Sequence, residues 1–278
     1  MALLVELAKT LILSLALGAM LIIVIIGPRQ FFEALLDWRP RIMAVAPYLG
    51  VMIVILLARG ITQDFAEEVT WILDFNLTTH IFAFEGDFIA IFQRFTWPPL
   101  SAYLGFMYLY GYVVLIAFPA LAYFALPRMA HLKELLVAYI INDSIGILFY
   151  VLFISYGPRN LGVDFVDPIL YDMYPQAAIM TGAVNIPINV FPSLHTSMAA
   201  TVMFLAWRTR RIYPVWGVIA TIFGLSVIFS TMYLGIHWAS DVLAGIALAA
   251  FAVLVAVRVV QGDIVLGRFT VESTEPTE

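Results

Sequence analysis

Cysteine is absent from the 278 residues. That removes disulfides, thiolate metal sites and a cysteine nucleophile, and leaves the redox compartment unread. Charge is also scarce: 12% of residues are charged and 63% hydrophobic, where soluble domains carry about 25% and about 45–50%. A water-soluble globule of this composition would expose large apolar patches and aggregate, so the chain reads as an integral membrane protein. The mean hydropathy of +0.98 agrees. A net charge of −5 and the lack of any basic tract exclude nucleic acid as a primary partner. No internal repeat is visible, and only the polar tail Glu272–Glu278 is of low complexity.

What the sequence does have is long apolar runs. A crossing needs about 20 mostly apolar residues, and seven segments qualify, near 3–27, 41–59, 99–125, 134–156, 190–207, 212–233 and 238–260. The fifth is half polar, opening Phe191-Pro192-Ser193-Leu194-His195-Thr196-Ser197, so it must line something wet or lie inside protein. The first segment lacks a basic leader and a small-residue cleavage site, which predicts a retained helix, with Glu6 and Lys9 paired near its start. Residues 60–98 mix acids with Phe65, Trp71, Phe75, Phe82, Phe88 and Trp97, a pattern expected of amphipathic helices in the membrane interface. The expected organisation is therefore 1–98 for the first spans and outer loop, 99–262 for the membrane core, and 263–278 for a disordered polar tail.

Lys and Arg in short loops set the orientation. Arg29, Arg39, Arg41, Arg128, Lys133, Arg208, Arg210, Arg211 and Arg268 fall on one side; only Arg59, Arg94 and Arg159 fall on the other, among many acids. The expected topology has the N-terminus outside and the C-terminus cytoplasmic.

Three polar clusters share the outer face. In Pro192-Ser193-Leu194-His195, a proline at the first helical position would leave free N–H groups as an anion site, with His195 on the first turn; a capping serine beside a structural histidine is the plainer alternative. In His237-Trp238-Ala239-Ser240-Asp241, the two titratable groups stand four apart, so the carboxylate can fix the imidazole tautomer and leave the second nitrogen free to attack. An interfacial anchoring pair reads the same spacing. Arg159, in Gly157-Pro158-Arg159, is the one Lys or Arg between Lys133 and Arg208; its guanidinium can grip phosphate or a lipid headgroup outside the site. Together the clusters read as a metal-free phosphoryl-transfer site, one histidine attacking phosphorus and the other protonating the leaving oxygen.

Pro192-Ser193-Leu194-His195 and Tyr233-Leu234-Gly235-Ile236-His237, followed by Asp241-Val242-Leu243-Ala244-Gly245, resemble the second and third signatures of the type-2 phosphatidic acid phosphatase superfamily. The resemblance covers roughly residues 134–255, with no motif recognised in 1–130. It implies a phosphatidic-acid-phosphatase-like bundle of about seven helices with an outward-facing site and no cofactor or metal. It also implies His237 as a nucleophile forming phosphohistidine, Asp241 as its orienting partner, His195 as general acid, and Arg159 and Ser193 as phosphate ligands. The sequence departs from the family at Leu152, Leu194 and Thr231, where lysine, glycine and arginine are usual. With two cations fewer, Thr231-Met232-Tyr233 and the loose Gly157-Pro158-Arg159 look more like the inositol phosphorylceramide synthase branch. The expectation is a lipid phosphotransferase with an alcohol acceptor, with a phosphatase using water as the alternative.

A zinc site at His195, His237 and Asp241 and a transporter built on a half-polar helix are the remaining rivals. Asp143, an acid within the fourth span, is expected either to orient a site residue or to bond a neighbouring helix. The lipid, the acceptor and the oligomeric state stay open.

Overall fold

The computed structural model describes the backbone of residues 2–161, 166–177 and 189–272, with side chains except at 2, 3, 6, 61–67 and 263–272. The expected Glu6–Lys9 pair and Asp164 lie outside what is described. The described residues form helices and two isolated bridges, with no strand. In chain order these are α1 (Ala2–Leu21, continued as a π-helix over Ile22–Ile26), α2 (Pro28–Leu36), α3 (Trp38–Leu73), α4 (Leu77–Glu85), α5 (Ala90–Gln93) and α6 (Pro98–Phe106). A π-helical stretch, Met107–Gly111, joins α6 to α7 (Tyr112–Phe124), and α8 (Ala130–Leu152) and α9 (Ile169–Met173) follow. The last three are α10 (Leu194–Arg208), α11 (Pro214–Tyr233) and α12 (Ala239–Glu272). The final helix runs beyond 262, where the polar tail was expected to begin.

Six helical segments are long and apolar enough to cross a membrane: Leu7–Ile26, Trp38–Gly60, Pro98–Phe124, Ala130–Leu152, Pro214–Tyr233 and Ala239–Gly262. The protein is an all-α, multi-pass integral membrane protein. The fifth expected span, 190–207, is not among them and forms a shorter helix. α10 has 15 residues, about 22 Å at 1.5 Å per residue, because the helix begins only after Ser193 caps it. It still runs the depth of the bundle: Arg208 at its end meets Glu134 near the start of α8, at 2.9 Å. At the other end, Tyr150 near the end of α8 donates from Oη to the Pro192 carbonyl at 3.2 Å. α10 is thus antiparallel to α8 and enclosed by α8, α11 and α12.

Lipid is as apolar as leucine, so helices in a membrane associate through close packing. α12 shows this in its sequence: Gly245, Ala249, Ala252 and Ala256 recur at three- and four-residue spacing. The three alanines are buried, while Leu243, Phe251 and Leu254 face outward. Facing alanines of α8, α10 and α11 (Ala138, Ala199, Ala206, Ala220) are equally buried. Two charged groups inside the bundle are paired, as membrane burial favours: Glu134 accepts from Arg208 and bonds His131 at 3.0 Å, and Arg41 donates to the Phe124 and Leu126 carbonyls at the end of α7.

Residues 60–98 differ in part from the expected interfacial helices. α3 continues 36 residues to Leu73, about 54 Å, and turns at Asp74, whose φ is +49°. The short α4 and α5 that follow are sewn to the bundle. Leu77 N–H donates to the Ile154 carbonyl at 2.8 Å, and Ile154 N–H to that of Phe75 at 3.0 Å. Tyr156 N–H donates to Thr78 Oγ1 at 2.8 Å, and Gln93 Nε2 donates to the Tyr233 carbonyl at 3.1 Å.

A helix approaches backbone closely at Gly245, where an added Cβ would stand 2.6 Å from the Ser193 carbonyl oxygen. Gly245→Ala must therefore push α12 from α10, a cost of about 1–3 kcal/mol by the usual scale of overpacking. A lowered melting temperature in detergent is expected; an unchanged one would mean that the two helices separate freely.

Candidate active site

The turn between α11 and α12 carries His237. Ile236 and His237 both donate their N–H groups to the Thr231 carbonyl at 3.0 Å, which folds the end of α11 back and turns His237 inward, 4% exposed. Asp241, at the third position of α12, reaches back to accept from Trp238 N–H at 2.9 Å, half of a capping box. The same oxygen, Oδ2, lies 3.4 Å from His237 Nδ1. The spacing of four thus brings the pair together as expected, through a long hydrogen bond of the kind unliganded sites show.

The next amides of α12 are met from a distant part of the chain. Glu85, the last residue of α4, accepts from Ala239 N–H at 2.9 Å and Ser240 N–H at 2.5 Å. Sequence reasoning missed Glu85, since an acid in an acid-rich outer segment gives no sign of a partner 154 residues away. Trp238 closes the loop from the other side, donating Nε1 to the Tyr156 carbonyl at 2.9 Å and packing edge-on to Phe82.

His195 lies in the first turn of α10, with its ring 6.5 Å from that of His237, centroid to centroid. Tyr108 stacks on it at 4.6 Å, and Tyr112 lies tilted against it at 4.5 Å. Both come from the π-helical stretch and the start of α7; π-turns inside helices are frequent at functional sites. These tyrosines were also missed, the run Tyr108-Leu109-Tyr110-Gly111-Tyr112 reading as ordinary span. Pro192 is not the first helical residue: it precedes the N-cap, Ser193. The Ser193 hydroxyl accepts from Thr196 N–H at 3.3 Å and donates to Thr196 Oγ1 at 3.0 Å, while Ser193 N–H donates to the Asp241 carbonyl at 3.1 Å. Ser193 is therefore placed as a helix cap locked to α12. The N–H groups of Leu194 and His195, within the first turn, have no acceptor inside their own helix.

Arg159 sits in the short 3₁₀ turn Pro158–Asn160. Its backbone N–H donates to the Gly235 carbonyl at 3.1 Å, and its guanidinium carbon lies 4.6 Å over the Tyr171 ring. The loops touch because residue 157 is glycine: a Cβ there would come 2.2 Å from the Ile236 carbonyl oxygen. Arg159 Nη1 is buried without a hydrogen-bond partner among the described residues, a donor left for something to fill.

The histidine's surroundings set its charge. Burial, then the positive charge of Arg159, lower the His237 imidazole from the ordinary 6.5 to about 3, with the Val190 carbonyl acting against them. At neutral pH it is uncharged, the form a nucleophile requires.

The remaining candidates fall elsewhere. His131 lies at the Arg208 end of the bundle, bonded to Glu134. His80 stacks on Phe75. Asp143 pairs with Arg59 of α3 at 3.1 Å, which moves Arg59 from the outer loop, where its sequence position put it, into a helix–helix contact. Among the described residues no three His, Cys, Asp or Glu side chains converge as a metal site would need.

A family model described as PAP2 superfamily matches residues 71–255, and the chain belongs to that superfamily, whose members are phosphatases and phosphotransferases. The match begins well before residue 134 and takes in α4 and α5, so the outer segment without a recognisable motif is part of the family's core. No curated protein and no solved structure matches the chain.

The depressed His237 value has a consequence for stability. In the unfolded chain the group takes up a proton near pH 6.5, and in the folded protein only near 3. Between those values the unfolded state binds more protons, so His237 makes the protein less stable as pH falls, and contributes nothing above 6.5. His237→Gln is expected to flatten the fall of melting temperature from pH 6.5 downward. Parallel curves for wild type and variant would show that the ring is not held neutral.

Proposed function

We propose that the protein is a membrane-embedded lipid phosphotransferase that passes a phospho-group from a lipid phosphoester to an alcohol through a phosphohistidine at His237. The observation that carries the reading is the pair of imidazoles with ring centroids 6.5 Å apart, one buried beside a carboxylate and flanked by a guanidinium with a buried, unpaired N–H. Reacting atoms approach to about 3–3.5 Å before bond formation, and rings this close can both reach one phosphoryl group held at the cleft they share.

In this mechanism Nδ1 of His237 faces Asp241, which holds the tautomer, and Nε2 attacks phosphorus. The P–O bond to the leaving alcohol breaks, and that oxygen takes the proton carried by His195. His195, now neutral, removes the proton from the acceptor hydroxyl, whose oxygen attacks the phosphohistidine and releases His237. Arg159 and the first-turn N–H groups of α10 receive the charge that gathers on the non-bridging oxygens. Ser193 contributes by fixing that helix start to Asp241.

Two features favour an alcohol acceptor and a diester donor. His237 is almost fully buried, and exclusion of water protects a covalent intermediate from hydrolysis. Leu152 and Thr231 stand where two further cations are usual in the superfamily, and a singly charged diester needs less positive charge than a monoester. The distribution of Lys and Arg supports a site on the extracytoplasmic face.

The test follows phosphorus in membranes reconstituted with radiophosphate-labelled lipid and added polyols. Label is expected to move into a new phospholipid or phosphoalcohol with wild type. His237→Ala should abolish this, and His195→Ala should slow it by roughly two to four orders of magnitude, the span of general acid–base contributions. Label appearing as inorganic phosphate whatever alcohol is added would make the protein a phosphatase. Transfer that survives His237→Ala would remove the mechanism.

A further inference from the structure

We infer that Arg59, held by Asp143, is a second phosphate-contacting cation on the His195 side of the site, contributed from outside the segment 71–255 that the superfamily model matches. The inference rests on the phosphotransfer reading and adds to it where the anion is gripped.

The helix registers bring Arg59 there. α7 and α8 run antiparallel, and Tyr139 of α8 donates its hydroxyl to the Ile116 carbonyl of α7 at 2.8 Å. One turn toward the site from Tyr139 is Asp143, and one turn toward the site from Ile116 is Tyr112, so these two face each other. Tyr112 is the ring 4.5 Å from His195. The neighbouring face of α8 confirms the register: Asn142 bonds Ser197 and Thr201 of α10, and Gly146 abuts the Leu194 side chain. Arg59 Nη1 meets Asp143 Oδ1 at 3.1 Å, and the Arg59 charge is felt at His195, Tyr112 and Tyr150, which surround the start of α10.

The pair is also asymmetric. The Asp143 side chain is 9% exposed and that of Arg59 34%, so the acid is the buried anchor and the guanidinium the accessible end. An ion pair buried between two membrane helices costs desolvation that a pair of leucines would not, and a purely mechanical clamp of α3 to α8 would not need it. A guanidinium aimed at an anion does. Arg159 adjoins the turn that carries His237, Arg59 is paired with Asp143 on the His195 side, and a phosphate held at the two rings would meet a cation from either flank.

The experiment uses the full chain in nanodiscs, with inorganic phosphate as the binding probe and labelled lipid for turnover. Arg59→Leu is expected to weaken phosphate binding and raise KM for the donor lipid by roughly 10- to 100-fold, the loss typical of a hydrogen bond to a charged group, with Arg59→Lys intermediate. The double variant Arg59→Leu, Asp143→Leu removes both charges. It should regain thermal stability while phosphate binding stays as weak as in Arg59→Leu. If the double variant recovers wild-type phosphate affinity, the pair is a clamp and the inference fails. It fails equally if Arg59→Leu binds phosphate as wild type does, or if wild type binds none. Phosphate binding that depends on Arg59, without movement of label between lipids, would keep this assignment and overturn the transferase reading.

Discussion

The first turn of α12 carries N–H groups that a membrane-embedded interior cannot leave unpaired, and two carboxylates meet them. Asp241 takes the amide of Trp238 from within the helix, and Glu85 takes those of Ala239 and Ser240 from across the chain. Much of the site follows from that arrangement. The carboxylate that closes the cap is the one that faces His237 Nδ1, so satisfying the helix and orienting the imidazole are one event. Because Glu85 ends α4, the same contact fastens the outer segment over the loop that bears the histidine. Ser193, bonded to the Asp241 carbonyl, ties the second catalytic helix to the first.

Around this junction the bundle divides by side-chain size. Small residues face inward on α8, α10, α11 and α12, letting backbones approach closely, while leucine, valine and phenylalanine face lipid. α1 and the membrane part of α3 lie at the edge of this packing, with most of their side chains exposed to the apolar phase. α3 is more than a peripheral anchor, since it brings Arg59 to Asp143 and so connects the part of the chain beyond the matched segment to the His195 flank. Two charges in a low-dielectric setting are retained there, between α3 and α8.

The two histidines sit in different settings despite their closeness. His237 faces Asp241, and its burial together with the Arg159 charge holds it neutral. His195 lies between two tyrosine rings at a helix start and remains partly accessible. Burial lowers the His195 imidazole to about 3 as it does that of His237, so a proton on either ring calls for the negative charge of a bound anion beside it.

Composition and pattern determined the class and much of the chemistry: an apolar, charge-poor chain must be embedded in a membrane, and the His237–Asp241 spacing keeps both groups within reach of each other across a helix start. Six of the seven expected crossings appear as helices of crossing length. The start of α10 was misread because a proline before a serine permits either residue to open a helix, and only the hydrogen bonds to Thr196 and Asp241 choose. Glu85, Tyr108, Tyr112 and the Arg59–Asp143 pair were illegible for one physical reason. Each matters through a partner far along the chain, on another helix, and local periodicity carries no information about which helix packs against which. The sequence therefore determined the residues able to do phosphorus chemistry, and the tertiary structure decided which of them meet, how dry they are, and where the second cation stands.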